Sequence, residues 1–146
     1  MIRLRSTPLA TFEREGLKAA LTKAGLPADD LETPGPLFWR FETPSDIPVG
    51  FGGLEIHGRN AVLRSVVILP VLRKSGFGRA VVSAIEQEAQ AHSCGAIYLL
   101  TADPRFFTHQ GYDLCRRNAV PKAVRASSQF ALQAPEGVKA MVKRLD

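Results

Sequence analysis

Ser65-Val66-Val67-Ile68-Leu69-Pro70-Val71-Leu72-Arg73-Lys74-Ser75-Gly76-Phe77-Gly78-Arg79 is the stretch on which the fold turns. An apolar, β-branched run ends at Pro70, and a basic, glycine-containing loop then opens directly into an amphipathic helix. A helix N-terminus presents N–H groups without intrahelical acceptors and about half a positive charge, so it suits a phosphate. Gly76 and Gly78 remove side chains where backbone must approach a ligand. Arg73, Lys74 and Arg79 add mobile positive charge around the same point. A tight turn before a helix would use the same glycines. The spacing matches neither a P-loop nor the GxGxxG dinucleotide fingerprint.

Downstream, Phe77 to Ser93 carries Phe77, Val81, Ala84, Ile85 and Ala89 on one stripe, opposite Glu86, Gln87 and Gln90, and Gly95 ends that helix. Ala96 to Thr101 is a strongly apolar strand. With the strand from Ala61 to Leu69 it makes a strand–helix–strand unit, right-handed if the two strands are parallel neighbours. Upstream, Leu37 to Glu42 and Val49 to His57 are strands joined by Thr43-Pro44-Ser45-Asp46, and His57-Gly58-Arg59-Asn60 turns into the third strand of an antiparallel meander. Ile2 to Arg5 alternates as a short strand. Thr7 then caps a helix with Pro8 in its first turn, Leu9, Phe12, Leu17, Leu21 and Ala24 at helical spacing, and Gly25 with Pro27 as its stop. Asp29 to Pro36 reads as a loop. Asp103 to Gln110 is a short helix stopped by Gly111, Tyr112 to Arg116 a strand, and Lys139 to Leu145 a strand that closes the sheet.

No repeat, low-complexity tract or linker divides the 146 residues, which suit one domain spanning 1–146. Apolar residues are 45% and charged residues 23%, and no apolar run approaches the roughly 20 residues of a membrane span. The expected location is the cytoplasm. Cys94 and Cys115 have no metal-ligand spacing and read as reduced thiols; no metal is expected. The net charge of +5 is scattered, without the dense basic block or aromatic-interleaved stripe of a nucleic-acid binder.

The pattern R-x-x-G-x-G at Arg73, Gly76 and Gly78 resembles the acyl-CoA pyrophosphate loop of the GNAT N-acetyltransferases. Leu63 to Pro70 resembles that family's fourth strand, and Phe106-Phe107-Thr108-His109-Gln110-Gly111-Tyr112 its FYxxxGF segment. Gly50-Phe51-Gly52-Gly53-Leu54-Glu55, Leu63-Arg64-Ser65-Val66, Tyr98-Leu99-Leu100-Thr101 and Val120-Pro121…Val124-Arg125-Ala126-Ser127 are similar to the branch associated with arsenic-resistance operons. Ala134-Pro135 stands where that branch has a Cys-Pro pair, so a thiol-dependent arsenic role is not expected. The resemblance implies an α+β fold: a mixed, mostly antiparallel sheet flanked by helices, with a central β-α-β unit that binds acetyl-CoA. It implies direct acetyl transfer to the primary amine of a small molecule, an amino acid or an amino-acid-like toxic analogue. Partners other than that amine are not implied: neither nucleic acid nor membrane, although a homodimer is compatible.

The same resemblance assigns residues. Val66, Val67 and Ile68 would offer backbone bonds to pantetheine, and Arg73, Lys74, Ser75, Gly76, Phe77, Gly78 and Arg79 would cradle the pyrophosphate. Phe107 occupies the position of a tyrosine that protonates the leaving thiolate in many members, a job phenylalanine cannot do. Tyr112 or a water could substitute, Tyr112 also reading as a core aromatic. The attacking amine must lose a proton, and Glu55 and Glu42 are the candidate bases, with Glu55 preferred; a solvent-facing strand carboxylate is the plain alternative. His57 and His109 titrate in the useful range but read as surface groups. Thr101 could hydrogen-bond the thioester region or simply cap the helix after it. Arg64 and Ser65 alternate, so one of them faces the substrate cleft, where an arginine could fork onto a carboxylate or phosphinate-like group. A non-catalytic acyl-CoA-binding module is the alternative to an enzyme.

Overall fold

Side chains alternate across each strand, and here the alternation separates two packed faces. A computed structural model describes residues 2–26, 28, 31, 35–73, 75–127, 129–130 and 137–145. Strands β2 (Leu37–Glu42), β3 (Pro48–His57) and β4 (Asn60–Ile68) form the expected antiparallel meander. Helix α2 (Phe77–Ala91) crosses to β5 (Ala96–Thr101), which pairs with β4 in parallel. Trp39, Phe41, Ala61, Leu63, Ile97 and Leu99 point to one face and bury against Val81, Val82, Ile85 and Ala89 of α2. Their sequence neighbours point the other way. Phe38 and Val67 pack under α1 (Arg14–Lys23) with Leu17 and Leu21, while Val62 and Tyr98 pack against Val124 of α4 (Lys122–Arg125).

The N-terminal elements depart from the sequence expectation. Strand β1 is Arg5–Pro8, not Ile2–Arg5, and Thr7 caps nothing: it pairs with Arg40 in β2. Pairing along an open edge outweighs the local capping signal. Leu9 N–H donates to Phe38 O, so by alternation the Pro8 nitrogen faces the solvent edge, where a missing donor does no harm. Helix begins with a 3-10 turn at Thr11, where Glu13 reaches back to accept the Ala10 N–H at 3.1 Å. Phe12 is therefore off the apolar stripe and 83% exposed, whereas Leu17 and Leu21 are fully buried. At the other end, α3 is Pro104–His109 and β6 is Asp113–Cys115. Strand β7 (Lys139–Arg144) does not close the sheet at its margin but inserts between β5 and β6, giving the order β1-β2-β3-β4-β5-β7-β6. Short β6, with little apolar surface of its own, becomes the edge.

Gly50 and Gly52 of β3 are required by close approach. A Cβ on Gly50 would stand 2.1 Å from Val67 O, and one on Gly52 would stand 2.4 Å from Ile85 Cδ1. The first obstacle is backbone and cannot swing away. Gly50→Ala is expected to destabilise the protein by about 3 kcal/mol, the upper end of overpacking costs, read as a lower midpoint in urea unfolding.

Candidate active site

The site follows from where β4 leaves its neighbours. Pairing of β4 with β5 covers Asn60↔Ala96, Ala61↔Ile97 and Val62↔Tyr98 and then stops. Just beyond, β4 bulges against β3: Gly53 pairs with Arg64 but Phe51 with Val67, so Ser65 and Val66 together oppose Gly52. Ser65 takes a left-handed backbone, φ 58°. Past the bulge, Leu69 N–H donates to Val49 O. By antiparallel alternation Val67 also turns its backbone groups to β3, and those of Val66 and Ile68 turn toward the gap. Of the three residues expected to meet a ligand through their backbone, Val66 and Ile68 thus face the opening, while Val67 faces β3 and buries its side chain under α1.

The gap is a cleft of about 410 Å³, within the usual range for small-molecule sites. Leu63, Arg64, Ser65 and Val66 form one wall, Leu99, Leu100, Thr101 and Ala102 the other. Phe107 and Gln129 also reach it, with Gly25, Leu26 and Val138 at its margin. Apart from Phe107, none of these last five was marked in the sequence as a site residue, Gly25 reading only as a helix stop: the end of α1, the segment before β7 and Gln129 meet here only through tertiary folding.

At the end of β4, Pro70–Leu72 makes a 3-10 turn and Gly76 stands at φ 82° as the N-cap of α2. Gly76 has no side chain to cap that helix, so among the described residues its first-turn amides, at Phe77, Gly78 and Arg79, have no side-chain cap from the N-cap position and can serve another acceptor. Lys74 lies outside the described residues. Arg73 Nε donates to Ile68 O at 3.1 Å, spanning the mouth of the loop, and Ser75 is exposed beside it. Gly78 packs on Phe106, whose ring a Cβ would meet at 3.4 Å. Arg79 turns toward Ile2 and Arg3 on the outer flank of α2.

Around the cleft the titratable groups are held differently from the sequence expectation. Glu55 is buried, 7% exposed, and does not line the cleft. Its Oε2 accepts from Arg64 Nη1 at 3.0 Å, and its Oε1 lies 3.4 Å from His57 Nε2. His57 is thereby drawn off the surface, while His109 stays exposed. The Arg64 side chain is wholly withdrawn from solvent, with Nε donating to Ser65 Oγ at 3.1 Å and its guanidinium 5.2 Å from the Phe38 ring centre. Glu42 accepts from Arg40 Nε at 3.2 Å on β2, away from the cleft. Thr101 Oγ1 accepts the Asp103 N–H at 2.8 Å, and Asp103 itself caps α3; among the described residues no acceptor takes the Thr101 hydroxyl proton.

Phe107 packs edge-on against Phe106 at 4.9 Å and Tyr112 at 5.5 Å. Tyr112 cannot lend the missing hydroxyl. Its O–H donates to Glu86 Oε2 at 2.9 Å beneath α2, where Lys143 Nζ also bonds Glu86 at 3.1 Å. Burial and the Glu86 charge push the phenol far above its ordinary range. Tyr112 is a core aromatic. Tyr112→Phe is expected to lower stability by about 1.5–3 kcal/mol, the worth of a hydrogen bond to a charged group, and to leave the pH dependence of turnover unmoved. Thermal unfolding alongside pH–rate profiles checks both halves.

Comparison with known proteins agrees with this geometry. No curated protein matches the sequence significantly. Among solved structures, an acetyltransferase of the GNAT family from Staphylococcus aureus Mu50 superposes with a TM-score of 0.72 at 17% identity, covering 98% of this chain and 99% of that one. N-acetylglutamate synthase from Neisseria gonorrhoeae, complexed with coenzyme A and N-acetyl-glutamate, reaches 0.80 at 14% identity over all of this chain and 36% of the larger enzyme. Rv2747 from Mycobacterium tuberculosis, in complex with CoA, reaches 0.76 at 18% identity, covering 96% of this chain and 98% of that one. At such identities the likeness establishes a shared fold: the mixed, mostly antiparallel seven-stranded sheet with flanking helices of acyl-CoA N-acyltransferases. The family assignment rests on the sequence, because residues 4–112 match the model of the acetyltransferase (GNAT) family, which spans the bulged strand, the glycine loop and Phe107. The chain belongs to that family.

Proposed function

We propose that this protein transfers an acetyl group from acetyl-CoA directly to the primary amine of a small molecule, an amino acid or an amino-acid-like toxic analogue. The observation that carries the reading is the splaying of β4 from β5 beyond Val62, which opens a cleft between Leu63–Val66 and Leu99–Ala102, on the strand that leads through the glycine loop into the N-terminus of α2. Acetyl-CoA supplies the acyl group as a thioester; the amine nitrogen bonds its carbonyl carbon, the C–S bond breaks, and one proton passes from nitrogen to the departing sulfur or to solvent.

In this proposal Val66 and Ile68 hold the pantetheine arm through their backbone, as an added strand would. The amides from Ser75 to Arg79 cradle the pyrophosphate, with Lys74 and Arg73 supplying charge. Arg73 must then release Ile68 O, and the pyrophosphate is the natural new partner for its guanidinium. Phe107 walls the thiol end, and the Thr101 hydroxyl is placed to donate to the thioester oxygen. Arg64 and Ser65 line the acceptor end, with Glu55 acting on it from behind the wall rather than by touching the amine. The apolar lining and the volume of the cleft favour a small acceptor. The arsenic-resistance resemblance favours amino-acid-like toxins among such acceptors. No helix among the described residues is long and apolar enough to cross a membrane, and we place the reaction in the cytoplasm.

A second reading, an acyl-CoA sensor without turnover, is favoured by one observation only, the phenylalanine at 107. Incubation with acetyl-CoA and a pooled panel of amines, read by mass spectrometry with CoA binding followed in parallel, decides between them. The panel holds free amino acids, glutamate-like phosphinates and arsenicals, polyamines and short peptides. An acetylated amino acid or analogue is the expected product; CoA binding with no product would favour the sensor or a different acyl donor, and acetylation confined to polyamines or peptides would overturn the acceptor class.

A further inference from the structure

Ser65 raises a question that the cofactor reading does not answer. Three non-glycine residues among those described have a positive φ: Asp46 in the turn before β3, Ser93 just past α2, and Ser65. Only Ser65 lies inside a strand. A left-handed backbone costs an L-residue about 1–2 kcal/mol, and at Gly58, Gly76 and Gly111 the chain meets that demand with glycine. Something specific holds a serine there.

The holding group is the side chain next to it. Arg64 Nε donates to Ser65 Oγ at 3.1 Å. The guanidinium is anchored in turn, Nη1 on Glu55 Oε2 of β3 at 3.0 Å, and its Cζ lies 5.2 Å from the ring centre of Phe38 in β2. Arg64 is 2% exposed and Glu55 7%, so the pair is shielded from competing water. Three adjacent strands are thus tied together at the residue where β4 turns away from β5.

We propose that Arg64, anchored by Glu55 and Phe38, is a positioning residue that locks the Ser65 bulge and thereby sets the opening of the cleft for CoA. This rests on the reading that the cleft takes CoA. It gives the buried Glu55–Arg64 pair a role in binding geometry rather than in proton transfer. It also explains why the arginine carries a fork: one arm reaches the neighbouring strand while the Nε stays on its own. A lysine has one nitrogen and cannot span both.

The test compares residues that differ in their need for the brace, and CoA affinity by calorimetry is the readout, because Ser65 also lines the acceptor end and turnover would mix two effects. Ser65→Ala and Ser65→Gly both lose the hydroxyl and leave Arg64 intact, but only glycine adopts the left-handed backbone unaided. Ser65→Ala is expected to bind CoA about 5- to 10-fold more weakly, and Ser65→Gly within about twofold of the unaltered chain. Arg64→Lys is expected to weaken CoA about 10-fold alone and to change little in the Ser65→Gly background, the coupling expected of residues acting through one bond. Equal affinities for the alanine and glycine variants, or an Arg64→Lys loss of the same size in both backgrounds, would overturn the brace while leaving the cofactor reading intact. Failure of the unaltered chain to bind CoA would instead overturn the cofactor reading, and the brace's role with it.

Discussion

Gly76→Glu is expected to abolish CoA binding, with affinity falling by more than about 100-fold. Three effects add at this residue. At φ 82° a side chain costs about 1–2 kcal/mol of backbone strain. A carboxylate at the N-cap of α2 satisfies the amides that the pyrophosphate would use, since acidic and hydroxyl side chains are the ordinary caps. Its charge also opposes the phosphates: at 5–6 Å and an effective dielectric near 20, like charges repel by roughly 3 kcal/mol. Together these exceed the roughly 2.7 kcal/mol that a hundredfold change represents. Gly76→Ala isolates the first effect. A Cβ there meets only the mobile end of Ile2 at 3.2 Å, so steric conflict is slight and a loss of about 10-fold is expected from strain alone. Calorimetric titration of both variants reads the difference directly. Unchanged affinity in Gly76→Glu would show that CoA does not sit on this helix.

The helix and its loop were legible in the sequence because their signals are local. Apolar periodicity marks α2, and Pro70 and Gly95 bound the helical crossover of the β-α-β unit that the structure contains. The β2–β3–β4 meander was legible for the same reason, from turn residues between apolar runs. What failed at the N-terminus failed because a local rule met a longer-range one. Thr7-Pro8 reads as a helix start, but the open edge of β2 offered hydrogen bonds to Arg5–Pro8 that an early helix would forgo. The position of β7 between β5 and β6 was invisible in the pattern, which records that a strand exists and not which neighbour it finds. The cleft was half legible. Arg64, Ser65, Thr101 and Phe107 were singled out and do line it, whereas Glu55 was singled out and lies behind it. The alternation that put Glu55 on the correct face of β3 could not reveal that Arg64, two positions along on the same face of β4, would claim its carboxylate. Nothing in the sequence announced the left-handed Ser65 either, since serine there is the exception to the rule by which such positions are found.

Phe107→Tyr is expected to raise kcat at pH 7 by up to about 30-fold, an uncommon outcome for a substitution in a folded site. The bound comes from the leaving group. A free thiol has a pKa near 8.5, so at pH 7 a thiolate leaving unprotonated lies about 1.5 units, roughly 2 kcal/mol, above its protonated form. A positioned acid can recover no more than that, which keeps the gain below the 10²–10⁴-fold that general acids give with poorer leaving groups. The dependence on pH has a definite sign. Below about 8.5 the protonated thiol is the stable product and the added phenol helps; above it the thiolate is itself stable and the advantage of the tyrosine should vanish. The ring already lines the cleft and is fixed by edge contacts with Phe106 and Tyr112, so the new hydroxyl enters on a rigid support. Steady-state kcat for both forms between about pH 6 and 9.5 tests this. A gain that closes as pH rises assigns the departing thiolate to the rate-limiting step. Equal rates at every pH would mean that its proton already arrives by another path or that a different step limits turnover, and the phenylalanine would then carry no penalty. Tyr112 cannot be that path, because its phenol is committed to Glu86.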